Sequence, residues 1–199
     1  MQKLALLDSS CCQDLASPYV DGHWSLTTPA VDLLTDFSKE APVFVDVNFP
    51  AAEAIEILRR ASVRLLMVLG KDDHLVGVVG FDRLNGQELI RKISSGYHRD
   101  ELTVSEFMTP KSELKALAYD QFAKATLQEV LYTLDSSGLH HCLVIDTQTH
   151  KIRGVISAYE IAQKLGLPLN LIREPNFGQI CSAVYRQVNP RTPLCIGVN

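Results

Sequence analysis

Two stretches of this chain carry one hydrophobic pattern. Leu66-Met67-Val68-Leu69, seven residues and then Gly77-Val78-Val79 are echoed by Leu143-Val144-Ile145-Asp146, seven residues and then Gly154-Val155-Ile156, at an offset of 77. Upstream, Ala54 to Leu58 align with Val130 to Leu134 at an offset of 76, and one extra residue near Gly138 would account for the difference. Self-similarity at a fixed period marks a supersecondary unit used more than once. In the first copy, 43–45 reads as a short strand, and Pro50 suits the first turn of a helix, where its missing N–H costs nothing. Ala54, Ile57, Leu58 and Ala61 recur at helical spacing and predict one buried face. Two apolar strands, 65–69 and 75–79, flank the polar turn Gly70-Lys71-Asp72-Asp73, which is a hairpin signal. A helix over 82–94 closes the copy. The second copy predicts a strand at 116–118, a helix with Val130, Leu131 and Leu134 inward, strands at 142–145 and 151–156, and a helix over 158–165 stopped by Gly166. Thr103-Val104-Ser105-Glu106 is a capping box that opens a short helix before this copy. Thr28-Pro29 opens a comparable one before the first.

The expected organisation is a flank at 1–27, repeats at 28–98 and 99–167, and a second flank at 168–199. That second flank holds Pro168, Pro175, Pro190 and Pro193, a density that disfavours a long helix. Its apolar residues Phe177, Ile180, Val184, Tyr185, Leu194 and Ile196 predict that it packs on the body or on a second subunit.

Composition narrows the function classes. The 199 residues are 46% hydrophobic and 21% charged with a net charge of −4, the balance of a globular protein rather than a disordered one. The apolar runs fall far short of the roughly 20 residues a membrane helix needs, so no membrane association is expected. Net negative charge without a basic–aromatic stripe argues against nucleic acid. Five cysteines without Cys-x-x-Cys spacing predict a reduced, cytoplasmic protein without metal, and the vicinal Cys11-Cys12 reads as two ordinary thiols. Gly77-Val78-Val79-Gly80 lies within a hairpin and is not a dinucleotide fingerprint. Flanks of this size leave no room for a catalytic domain, so no enzyme activity is expected.

A strand–helix–strand–strand–helix unit used twice resembles the CBS (cystathionine β-synthase) domain family, two of whose units form a CBS pair or Bateman module. The resemblance rests on Ser105-Glu106-Phe107-Met108-Thr109-Pro110 as the opening motif, His141-Cys142-Leu143-Val144-Ile145-Asp146 as the first hairpin strand, and Gly154-Val155-Ile156-Ser157-Ala158-Tyr159-Glu160 as the closing strand and helix start. It covers about residues 28–166. It implies an α/β (α+β) fold: a tandem pair of β-α-β-β-α units related by pseudo-twofold symmetry, here free-standing and of bacterial type. It also implies a non-catalytic regulatory module, commonly a homodimer, that needs no cofactor. Such a module binds AMP, ADP, ATP or S-adenosylmethionine between its units and signals to a regulated protein.

The family's ligand signature is Gly-hydrophobic-x-Ser/Thr-x-x-Asp, with the hydroxyl toward phosphate and the carboxylate on the ribose. The second copy supplies Ser157 and Glu160, with Glu one methylene longer than Asp. The first copy has Gly80 and Arg83 there, so its site is expected to be absent or altered. Phosphate needs donors and positive charge. Arg64, aligned with His141, is expected to converge on it with His141 and His140; the alternative is that these are solvent-facing strand ends. Imidazoles normally titrate near pH 6.5, so such a grip would strengthen as pH falls. Ser157 and Glu160 equally fit a Ser-x-x-Glu capping box. Thr109 is either near the ligand or part of a helix terminator, and Ala116 to Ala118 are placed to line an adenine slot. The competing reading is a dimerisation or protein-interaction module without a small ligand.

Overall fold

The computed structural model describes residues 24–84, 87–167 and 174–188. The Cys11-Cys12 pair, Pro168, Pro190, Pro193, Leu194 and Ile196 lie outside the described residues. Eight strands form two four-stranded sheets. The first sheet has the order β2 (Phe44–Asp46), β3 (Leu65–Leu69), β4 (Leu75–Gly80) and β5 (Thr109–Pro110). The second has the order β1 (Thr35–Asp36), β8 (Lys151–Ser157), β7 (His141–Asp146) and β6 (Ala116–Ala118). The helices are α1 (Ala51–Arg60), α2 (Phe81–Leu84), α3 (Gln87–Ser94), α4 (Tyr119–Phe122), α5 (Leu127–Leu134), α6 (Ala158–Lys164) and α7 (Phe177–Val188).

Each sheet borrows its edge from the other half of the chain. β1, from the opening segment of the first repeat, pairs antiparallel with β8 of the second. β5, from the opening segment of the second repeat, pairs with β4 of the first. The cores are exchanged in the same way. Ala30 and Leu33 are buried among second-repeat residues, whereas Leu102, Val104 and Phe107 fill the first-repeat core. The bridges Pro29–Thr126 and Pro50–Thr103 repeat the pattern. The two units therefore share their cores.

Alternation along the central strands explains their uninterrupted apolar sequence. Leu66 and Val68 face the helices of their own repeat. Met67 and Val78 meet Leu143 and Val155 of the other sheet. A strand buried on both faces carries hydrophobic residues at consecutive positions. On α1 the inward residues are Ala51, Ala54, Ile55 and Leu58, while Ile57 is half-buried and Ala61 is exposed. The predicted face is thus rotated by about a residue, because Ala61 is already the C-cap.

The extra residue does not lie near Gly138. Gly138 and Ser62 occupy matching positions with positive φ, 67° and 54°. Val68 pairs with Gly77, nine positions on, but Val144 pairs with Gly154, ten positions on. The insertion is in the hairpin turn, and the offset along β3 and β7 is 76. Arg64 accordingly matches His140, not His141: the Arg64 carbonyl accepts from Phe81 N–H at 3.1 Å just as the His140 carbonyl accepts from Ala158 N–H at 3.0 Å. Leu65 is the counterpart of His141.

The second flank contains a helix after all. The twelve residues of α7 fit between Pro175 and Pro190, and Phe177, Ile180, Cys181 and Val184 join the second-repeat core.

Candidate functional site

Two clefts flank the pseudo-twofold axis, built from matching positions of the two repeats. The first, about 320 Å³, is lined by Gly80, Asp82, Arg83, Thr109, His140 and His141 among others. The second, about 480 Å³, is lined by Arg59, Ser62, Arg64, Phe81, Tyr159 and Glu160 among others. Both volumes suit a small organic ligand. The predicted site residues therefore divide. Glu160 and Arg64 share the second cleft, Thr109, His140 and His141 share the first, and Ala116 and Ala118 line neither. A cleft does exist at the first copy, with Arg83 where the second copy has Glu160.

Glu160 stands in the first turn of α6. Burial raises its carboxyl above the usual range, with Lys164 and a hydrogen bond from Thr35 opposing that rise. The Thr35 hydroxyl donates to Glu160 Oε2 at 3.4 Å, so the borrowed strand β1 positions the carboxylate. Ser157 precedes α6 but makes no capping bond. The Ser-x-x-Glu box does not form here, because the Glu160 carboxylate turns to the Thr35 hydroxyl instead of back to the Ser157 N–H. The Ser157 hydroxyl is buried without a hydrogen-bond partner. Boxes do form at Thr103–Glu106, where the Thr103 N–H donates to Glu106 Oε2 at 2.9 Å, and at Thr126–Glu129.

Arg64 is already engaged. Its Nη1 lies 3.2 Å from Glu174 Oε1, and its guanidinium stacks 3.9 Å from the Tyr159 ring centroid and 5.5 Å from that of Phe81. Burial pushes the Glu174 carboxyl up to about 7, Arg64 acting against this and Asp82 with it. On the other side of the axis, His140 Nδ1 donates to the Pro175 carbonyl at 3.1 Å.

His141 differs from its predicted role. Its Nε2 is buried without a partner, and burial, aided by the nearby His140 and Arg64 charges, pushes its pKa down to about 3. It is neutral at physiological pH, so it adds no charge for a phosphate as pH falls toward 6.

Glycine at two strand positions has a local reason. A Cβ on Gly154 would collide with the Thr35 carbonyl, and one on Gly77 would come within 2.5 Å of the Thr109 carbonyl. Both glycines let a borrowed edge strand approach. Arg153 then clamps β1 through two bonds to Asp36, at 2.7 and 2.9 Å. Local sequence patterns carry no signal for Tyr159, Glu174 or this clamp, since their partners are 95 to 117 residues distant or lie across the axis.

The CBS domain family model matches residues 34–84. Among solved structures, the chain is similar to an uncharacterized conserved protein from Pyrococcus horikoshii, with TM-score 0.53 and 20% identity over 74% of this chain and 98% of that one. It also aligns with CBSX2, an Arabidopsis thaliana CBS-pair protein solved in complex with AMP, with TM-score 0.46 and 22% identity over 68% and 94%. A conserved CBS domain protein of unknown function from Thermoplasma acidophilum gives TM-score 0.48 and 16% identity over 78% of each chain. No curated protein matches. Among the described residues, no helix is long and apolar enough to cross a membrane, and no three His, Cys, Asp or Glu side chains gather as metal ligands do.

Proposed function

We propose that this chain, a CBS domain protein with the fold of a CBS pair, is a non-catalytic regulatory module that senses an adenosine-containing ligand in its second cleft. The observation that carries this reading is the meeting of Glu160 and Arg64, one from each repeat, on a single cleft of about 480 Å³. Glu160 supplies a carboxylate for ribose hydroxyls. Arg64 supplies a planar donor fork for phosphate. Because the two groups belong to different repeats, a ligand that bridges them favours one arrangement of the pair over another. Unequal affinity for the two arrangements is what converts binding into a population shift.

Calorimetric titration with AMP, ADP, ATP and S-adenosylmethionine tests this. At least one is expected to bind the parent, and Glu160→Ala is expected to weaken that binding roughly ten- to a hundredfold, since a charged hydrogen bond is worth about 1.5–3 kcal/mol. No binding at millimolar concentration, or unchanged affinity in the variant, overturns the reading. One observation favours a second reading, an interaction module without ligand: Arg64 and His140 already have protein partners in Glu174 and Pro175. A pull-down that recovers a partner equally with and without nucleotide supports that alternative.

A further inference from the structure

The residues that precede α7 touch both halves of the pair at equivalent points. Glu174 takes the Arg64 guanidinium. Its neighbour Pro175 takes the His140 ring through its carbonyl. Arg64 and His140 are pseudo-symmetric counterparts, each beside the entry of its repeat's first hairpin strand, and each opens into its own cleft. Two consecutive residues thus occupy the two positions from which the clefts would offer positive charge or a ring donor.

The contact is built firmly. The Phe177 N–H donates to the Leu139 carbonyl at 2.9 Å. Asn176 and Gln179 cap α7 reciprocally, at 3.0 and 2.9 Å. Phe177 is fully buried beneath them. The Glu174 side chain is only 5% exposed, against 31% for Arg64, so solvent does little to satisfy the carboxylate. Its second oxygen, Oε2, is buried with no hydrogen-bond partner. Through its other oxygen, Oε1, Glu174 accepts one bond from the Arg64 guanidinium, a place that a phosphate oxygen can also take.

We propose that the 174–177 segment is an autoinhibitory strap, in which Glu174 occupies on Arg64 the place of a ligand phosphate and must be displaced for a nucleotide to bind. This rests on the proposed nucleotide site and adds its regulation. A phosphorylated ligand and Glu174 compete for one guanidinium, so the strap discriminates against phosphate and leaves a bare nucleoside little affected. Displacement would also pull on α7, whose Phe177, Ile180, Cys181 and Val184 belong to the second-repeat core, and so would pass occupancy of the cleft to the C-terminal helix.

Calorimetry of the full chain with AMP and with adenosine tests the strap at pH 8.5, well above the value of about 7 to which burial pushes the Glu174 carboxyl, so that the parent carries the charge. Glu174→Gln keeps the shape of the side chain and removes the charge; Glu174→Ala removes both. In each variant AMP is expected to bind at least tenfold more tightly than to the parent, with adenosine affinity changed less than twofold. Arg64→Ala is expected to bring AMP down to the affinity of adenosine. If AMP binds parent and both variants equally, the strap is overturned and the nucleotide site stands. If AMP and adenosine tighten together, the segment blocks the cleft by bulk, and competition for Arg64 is overturned. If AMP binds none of the proteins, the site and the strap fail together. Hydrogen exchange gives a readout independent of folding defects in the variants: in the parent, AMP is expected to raise exchange over 174–180 and adenosine is not, and protection of these amides by AMP contradicts displacement.

Discussion

Asp36 is buried, yet it is an anion. It keeps its charge because Arg153 donates to both of its oxygens and Ser38 donates through its N–H and hydroxyl. The Arg153 bond, foremost, holds its carboxyl well below the usual range against the effect of burial. A depressed carboxyl contributes stability that is present above its unfolded value of 3.8 and is lost as the pH falls below it. Asp36→Asn should therefore lower the denaturation midpoint at pH 7, and the gap from the parent should narrow as the pH drops from 4 toward 2. A gap that is constant with pH would assign the loss to packing instead. The same scale separates the two histidines. His140, just before β7, reaches the Pro175 carbonyl, while the Nε2 of His141, the first residue of β7, is buried without a partner, although both line the first cleft. Arg64 is the positional counterpart of His140, and Leu65 that of His141.

The exchanged edge strands dominate at the scale of elements. β1 and β5 have two residues each, too short to be stable by themselves, and each is held by a glycine that admits its backbone. Gly154→Ala is expected to cost about 1–3 kcal/mol, the range for overpacking a tight contact, measured by chemical denaturation. Because β1 carries Thr35, the same variant should weaken any ligand that depends on Glu160. A variant as stable as the parent would show that β1 does not need this approach. The helices, hairpins and repeat were legible in the sequence because their signals are local: period 3.6 in Val130, Leu131 and Leu134, and an apolar run, a polar turn and an apolar run at 65–79. The exchange was not legible, since Thr35 and Asp36 show no strand pattern of their own and take their conformation from β8. Nor was α7 apparent, because the surrounding prolines outweigh its apolar periodicity until their positions, outside the helix, are known. Of the groups at the second cleft, Glu160 and Arg64 were legible in the sequence. It missed Glu174, whose partner is 110 residues away.

At the scale of the whole molecule, two half-modules face each other across a small apolar interface of Met67, Val78, Leu143 and Val155, with clefts on either side. Phe37, Leu65, Leu75, Leu114 and Ile152 pack against this cluster, and charged and stacked groups also join the halves: Arg64 on Tyr159 and Glu174 on Arg64. Rearrangement of these contacts is a feasible route by which a ligand could alter the relation of the halves, whereas the close-packed cores would resist. The two clefts are not equivalent, because one presents Glu160 and the other Arg83. A ligand should consequently choose between them. The most direct measurement is a crystal structure of the full chain grown with millimolar AMP. The account predicts nucleotide density in the second cleft, with the ribose at Glu160, the phosphate at Arg64, and Glu174 withdrawn from the guanidinium. An empty second cleft with the Arg64–Glu174 pair intact, or nucleotide held only in the first cleft, would contradict it.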